Sequence, residues 1–195
     1  MGLRIATTPG LVLNRLWRPG GWLQPVRHRL SPHQDERPPG ERISLLVVHG
    51  ISLPPRRFGG DAIERLFTGR LPFDEHPYYA SLKGARVSAH FLIRRSGAVV
   101  QFVGCDRRAW HAGRSSWAGR EHCNDFSVGV EVEGSDRTRY AALQYRALAW
   151  LTAALQARYP IADIVGHSDV APGRKTDPGP AFDWALYRRL LASRG

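Results

Sequence analysis

The chain has 195 residues, 43% of them hydrophobic, and carries a formal net charge of +11. Its length suits one domain with a buried core, and apolar runs such as residues 43–48 are far shorter than the roughly 20 residues that span a bilayer. Two cysteines, Cys105 and Cys123, are too few for a disulfide framework and lack metal-knuckle spacing, so they read as reduced thiols.

Residues 1–20 read as an irregular, basic N-terminal extension, and residues 21–195 as the single domain that follows. Thr7, Thr8, Pro9, Gly10, Asn14 and Arg15 break the apolar patches of the extension. An export signal needs an unbroken apolar run of about 7–15 residues after a basic start, so a cytoplasmic protein is expected. Residues 31–42, SPHQDERPPGER, are polar and Pro-rich, hence a loop. Residues 43–49 predict a strand buried on both faces. Within residues 61–67, Ile63, Leu66 and Phe67 share a helical face, with Asp61 as N-cap and Gly69 as stop. Residues 86–103 predict a hairpin: Val87, Ala89, Phe91 and Ile93 alternate, Ser96 and Gly97 turn the chain, and residues 99–103 return. Phe126, Val128, Val130 and Val132 alternate again, leaving Ser127, Gly129, Glu131 and Glu133 on the opposite face. The clearest helix covers residues 139–159, where Leu143, Ala147, Leu151, Ala154 and Leu155 recur at helical steps before Pro160. A short strand over residues 161–165 leads into Gly166 and His167, a loop follows over 168–181, and a helix over 182–192 closes the chain. Strands and helices mix without regular alternation, so the fold class is α/β, a mixed sheet covered by helices.

A basic chain is first tested as a nucleic-acid binder. Here the charge is almost wholly arginine scattered along the sequence, with Lys83 and Lys175 the only lysines and no long basic run. Charge of this kind equally suits a small ligand bearing several carboxylates, and it does not decide between them.

Of the eight histidines, two directly follow apolar strands: His49 after LLVV and His167 after IVG. A strand end fixes a side chain rigidly beside a loop. Asp177 follows ten residues after His167, in HSDVAPGRKTDPGP. Two imidazoles and a carboxylate from separate segments match a zinc site of three protein ligands and one open position, the arrangement of hydrolytic zinc; the alternative is hydrogen-bonded structural histidines. Glu131 lies in SVGVEVEG, on the face away from the valines. It is either a solvated surface carboxylate or a general base facing a cleft, and Glu133 shares its face, so spacing cannot choose between them. Lys175 is either an exposed loop lysine or the cation that opposes an oxyanion. Arg107, Arg108, Trp110 and His111 mix basic and aromatic groups that suit carboxylates and a sugar ring, or a plain surface. Neither a phosphate-binding glycine motif nor a G-x-S-x-G elbow occurs.

The segments SLLVVHGISLPP, FGGDAIERLFTG, HPYYASLKGARVSAHFLIRRSG, RAWHAG, CNDFSVGVEVEG and GHSDVAPGRKTDPGPAFDW together resemble the zinc N-acetylmuramoyl-L-alanine amidases, most of all their cytoplasmic, wall-recycling branch. The resemblance runs in order from about residue 21 to about residue 190. It implies the α/β fold shared with peptidoglycan recognition proteins, with zinc held in a surface cleft by His49, His167 and Asp177. It favours Glu131 over Glu133 as the catalytic carboxylate and makes Lys175 the group that steadies the oxyanion. Arg86, Trp110 and Asn124 become substrate contacts. The implied substrate is a muropeptide carrying 1,6-anhydro-N-acetylmuramic acid, cut between the sugar's lactyl group and L-alanine by a monomer with no nucleic-acid or membrane partner. Two positions depart from the family pattern: Gly50 stands where Asn is usual, and His122 where Arg is usual. A zinc-free binding module of the same fold is the rival reading, but it should lack a ligand. A nucleic-acid binder is the other, and it gives the His, His, Asp trio no role.

Overall fold

A computed structural model describes Leu13 and residues 15–194. Residues 1–12 and Asn14, most of the expected extension, lie outside them. The chain begins with β1 (Trp17–Arg18), β2 (Trp22–Leu23), β3 (Arg27–His28), β4 (Gln34–Glu36) and β5 (Leu45–Ile51), then two short helices, α1 (Ala62–Phe67) and α2 (Pro77–Ala80). Next come β6 (Phe91–Ile93), β7 (Val99–Gln101), β8 (Arg107–Ala109), β9 (Ser116–Trp117) and β10 (Arg120–Glu121), and a 3-10 turn over Cys123–Asp125. β11 (Ser127–Glu133), α3 (Ala142–Arg158), β12 (Asp163–Gly166), α4 (His167–Val170) and α5 (Trp184–Ala192) complete it.

Six strands form the central sheet in the order β12-β5-β11-β6-β7-β3. The first four run parallel, β7 turns antiparallel to β6, and β3 lies parallel to β7. The mixed α/β architecture is as expected. Parallel strands are covered on both faces, which is why β5 reads as a continuous apolar run. Side chains alternate across it. Leu46 and Val48, with Val128, Val130 and Val132 of β11, face Leu148, Leu151 and Leu155 of α3 and Phe182 and Tyr187 near the C-terminus. Leu45 and Val47 face the other way, against Ala112, Phe126 and Val165. Ile63, Leu66 and Phe67 of α1 cover Leu92 and Phe102 as a further cluster. The face opposite α3 also carries the side chains of His49 and Glu131, which alternate with Val48, Val130 and Val132. Among the described residues no helix is long and apolar enough to cross a membrane.

Several expected elements shift for physical reasons. The core reaches back before residue 21: Trp17 is buried, and its indole N–H donates to the Ala154 carbonyl at 3.2 Å. The loop over 31–42 contains β4, which pairs with β8 and sets Asp35 against Arg108 and Glu36 against Arg107. Cross-strand charge pairs hold this ribbon, and they give no apolar alternation to read. The predicted hairpin shortens to β6 and β7, joined through Gly97 at φ 84°. Asp61 makes no side-chain cap and pairs with Arg65 instead. On α3, Leu143 points outward at 52% exposure although its spacing matched the buried stripe. Gln144 takes the inward place: its oxygen accepts the Ala141 N–H at 2.9 Å and its amide donates to the Glu133 and Ile93 carbonyls. A polar residue thus docks the helix start on the sheet, which rotates Leu143 to the surface. Cys105 and Cys123 are buried and unpaired, as expected.

Candidate metal centre and cleft

Gly166 of β12 lies beside Val48 of β5 in the parallel register, so the residues that follow, His167 and His49, emerge side by side. Their rings meet edge to face, with centroids 4.3 Å apart. The carboxyl ends of parallel strands are the usual ligand end of an α/β sheet, because loops diverge there around rigidly held side chains. The loop after α4 returns Asp177 to this point: its carbonyl accepts the Ser168 N–H at 2.9 Å and its Oδ2 accepts the Gly50 N–H at 3.3 Å. Asp177 Oδ2 then lies 3.4 Å from His49 Nδ1 and 3.1 Å from His167 Nδ1.

These three donors lie within 4.8 Å of one another. Ligands held about 2.0–2.2 Å from a tetrahedral zinc are about 3.3–3.6 Å apart, so this trio fits a small divalent cation, and two imidazoles with one carboxylate suit zinc. Its protonation suits a metal as well. Burial pushes the His49 pKa down to about 4, against the pull of Asp177, leaving a neutral imidazole. Burial would raise the Asp177 carboxyl, but hydrogen bonds from His167 and His49 outweigh it and hold the group ionised.

Glu131 is the register partner of His49 on β11 and shares its face. Its carboxylate lines the cleft, and Oε2 is buried without a hydrogen-bond partner among the described residues. Burial raises its pKa well above the ordinary value, the Asp177 charge adds to this, and Lys175 opposes it. Glu133, two residues on, has the opposite surroundings. Its carboxylate accepts the Gly59 N–H at 2.6 Å, the Arg95 N–H at 3.0 Å and Arg94 Nη1 at 3.4 Å. It is buried and saturated, and it does not line the cleft.

The cleft has a volume of about 770 Å³, and Trp110, Lys175, Glu131, His167 and Asp177 all line it. The structure therefore gathers six of the expected site residues there, counting the adjoining His49. Arg86 is exposed between Ala85 and Val87, which line the cleft while Arg86 itself does not. Asn124 is not among the lining residues either: its Oδ1 accepts the backbone N–H groups of His111 at 3.2 Å and Ala112 at 2.8 Å. Arg107 and Arg108 are held in ion pairs with Glu36, Asp35 and Asp125. Gly50 lines the cleft, and a β-carbon there would overlap the Tyr140 hydroxyl. His122 is exposed, at φ 59°.

His111 was passed over by the strand-end rule, yet it stands against the trio, with Nδ1 2.9 Å from His49 Nε2. The rule applies to it too, since it lies just beyond β8. That strand is three residues long and reads Arg107, Arg108, Ala109, so no apolar run announces it.

The family model described as N-acetylmuramoyl-L-alanine amidase matches residues 39–180, which include the whole trio and Glu131. A relative from Salmonella typhimurium (strain SL1344), the 1,6-anhydro-N-acetylmuramyl-L-alanine amidase AmpD, is 57% identical over 88% of this chain and 93% of its own length. The protein of that name from Escherichia coli (strain K12) is 55% identical over 88% of this chain and 95% of its own. A crystal structure of a selenomethionine derivative of AmpD superposes with a TM-score of 0.88 at 56% identity, over 90% of this chain and 99% of that one. With the sheet, the cleft and the match all centred on the same strand ends, this chain belongs to the N-acetylmuramoyl-L-alanine amidase family.

Proposed function

We propose that this amidase is zinc-dependent and hydrolyses the bond between 1,6-anhydro-N-acetylmuramic acid and L-alanine, in the recycling of wall fragments. The observation that carries the reading is the convergence of His49, His167 and Asp177 beside the unpartnered Glu131 carboxylate. It is supported by the high identity to relatives named for that sugar and bond. A relative from Escherichia coli, the amidase AmiD, has been solved in complex with anhydro-N-acetylmuramic acid-L-Ala-D-gamma-Glu-L-Lys, a substrate of this class.

In this reading His49, His167 and Asp177 hold zinc. When bound, the ion supplies Lewis acidity for the amide carbonyl and lowers the pKa of water at its open position. Glu131 Oε2 takes a proton from the attacking water and returns it to the alanine nitrogen as that group leaves. Burial makes this carboxylate a stronger base than an exposed glutamate, which suits it to the transfer. The Lys175 ammonium on the cleft wall opposes the negative charge that develops on the carbonyl oxygen. Trp110 offers a face for the sugar, and Arg86, at the rim, pairs with a carboxylate of the stem peptide.

The finer reading is a cytoplasmic monomer acting on soluble fragments. Such an enzyme must spare muramyl-pentapeptide precursors that carry the same amide, so selection has to act at the sugar. Zinc content of the purified protein, with side-by-side kcat/KM on anhydro-muramyl-tripeptide and UDP-muramyl-pentapeptide, tests it. A preference of orders of magnitude for the first is expected. Comparable rates would overturn the recycling role and leave the amidase standing. Fractionation of native cells tests the location, with recovery from the periplasm as the adverse result.

A further inference from the structure

Each histidine of the trio has two ring nitrogens, and only one can ligate. Both turn Nδ1 toward Asp177 Oδ2. Each Nε2 points back into the protein, and both meet the same short segment. His167 Nε2 lies 3.3 Å from the Ala112 carbonyl. A carbonyl only accepts, so once a metal takes the place of a proton at Nδ1, the proton left on the ring sits on Nε2 and donates to Ala112. His49 Nε2 lies 2.9 Å from His111 Nδ1. The other nitrogen of His111, Nε2, lies 3.1 Å from the Ser127 hydroxyl. With both Nδ1 atoms given to a metal, one proton order satisfies the contacts behind the rings. His49 donates from Nε2 to His111 Nδ1, and His111 donates from Nε2 to Ser127 Oγ.

The segment itself is fixed on three sides. Asn124 Oδ1 takes both of its backbone N–H groups. Arg174 Nη2 donates to the Ala112 carbonyl at 2.7 Å, alongside His167. The His111 ring lies close enough to Gly129 that a β-carbon there would overlap it. Gly129 is in turn locked to His90: its carbonyl accepts the His90 N–H at 3.0 Å, and its own N–H donates to His90 Nδ1 at 3.0 Å.

We propose that His111 and the Ala112 carbonyl, clamped by Asn124, are the positioning groups that set both metal histidines in the tautomer that ligates through Nδ1. This rests on the metal reading above. Groups behind a ligand fix its ring orientation, and losing one typically costs about 10–100-fold in metal affinity. His111→Phe keeps a flat ring and removes the acceptor, whereas His111→Asn places an amide oxygen near the position of Nδ1.

The test is zinc affinity by chelator competition, with the melting temperature of each metal-free protein measured alongside. The expected result is stoichiometric zinc in the unaltered chain, affinity about 10–100-fold weaker in His111→Phe, and most of the loss recovered in His111→Asn. A purely structural role would lower both melting temperatures and leave zinc affinity alone. A folded His111→Phe protein that held zinc as tightly as the unaltered chain would sink the proposal. Should that variant not fold, long-range proton–nitrogen NMR on the zinc-loaded unaltered chain decides. His49 and His167 should both be protonated at Nε2, and a His49 bare at Nε2 would overturn the assignment. If the unaltered chain held no zinc, the metal reading itself would fall, a result distinct from either of these.

Discussion

Two buried acidic regions lie within a few residues of each other on the same sheet face and have opposite character. Around Glu133 and Glu64, every carboxylate is answered. Glu133 takes Gly59, Arg95 and Arg94, and Glu64 takes Arg27, Arg29 and the other arm of Arg94. At the cleft floor, Glu131 keeps an oxygen with no hydrogen-bond partner among the described residues, and Asp177 faces two histidines instead of an arginine. A buried charge left unanswered is costly. A fold keeps such an arrangement where a ligand or a reaction supplies the missing partner. The first region holds the structure together, and the second is the candidate site.

The sharpest way to break this contrast is to remove a ligand. His49→Ala, His167→Ala or Asp177→Ala should each abolish zinc binding and muropeptide hydrolysis together, read by metal analysis and mass spectrometry, because an open three-ligand site has none to spare. Stoichiometric zinc with normal turnover in any one of them would remove that residue from the site. Next comes the Glu131 carboxylate. Glu131→Gln should keep zinc and fold but lose about 10²–10⁴-fold in kcat, the usual cost of a missing general base; near-normal turnover would move the base elsewhere.

The same change two residues on should act on stability and not on rate. Glu133→Gln leaves Arg94 short of a charge and sets an amide against two N–H donors, a loss of about 1–3 kcal/mol visible as a lower melting temperature with kcat unchanged. A collapse of kcat in Glu133→Gln beside an active Glu131→Gln would invert the two regions. The smallest effect is expected at the cleft wall. Trp110→Ala should raise KM about two- to tenfold, the equivalent of about 0.5–1.5 kcal/mol of ring contact, with kcat little altered. An unchanged KM would take the indole out of the sugar subsite.

Whatever depends on local pattern was legible before folding. The apolar run before His49 and the alternation through β11 placed both strands, and with them the face that carries Glu131. The valines of β11 had to face a core, so Glu131 had to face away from it. The two strand-end histidines and Asp177 were legible as a trio because apolar strands announce the first two and a Pro/Gly loop announces the third. Which polar groups answer one another depended on contacts between distant segments. Glu131 and Glu133 have the same spacing and the same face, and they differ through Gly59, Arg94 and Arg95, residues far off in sequence. Leu143 fitted the helical stripe but lost the inward place to Gln144, whose partners Glu133 and Ile93 come from other strands. His111 follows a short, charged strand that exists only because Asp35 and Glu36 pair with it from seventy residues upstream. Periodicity records burial along one element. Hydrogen bonding between elements leaves no period, so the groups behind the candidate metal site become visible only once the chain is folded.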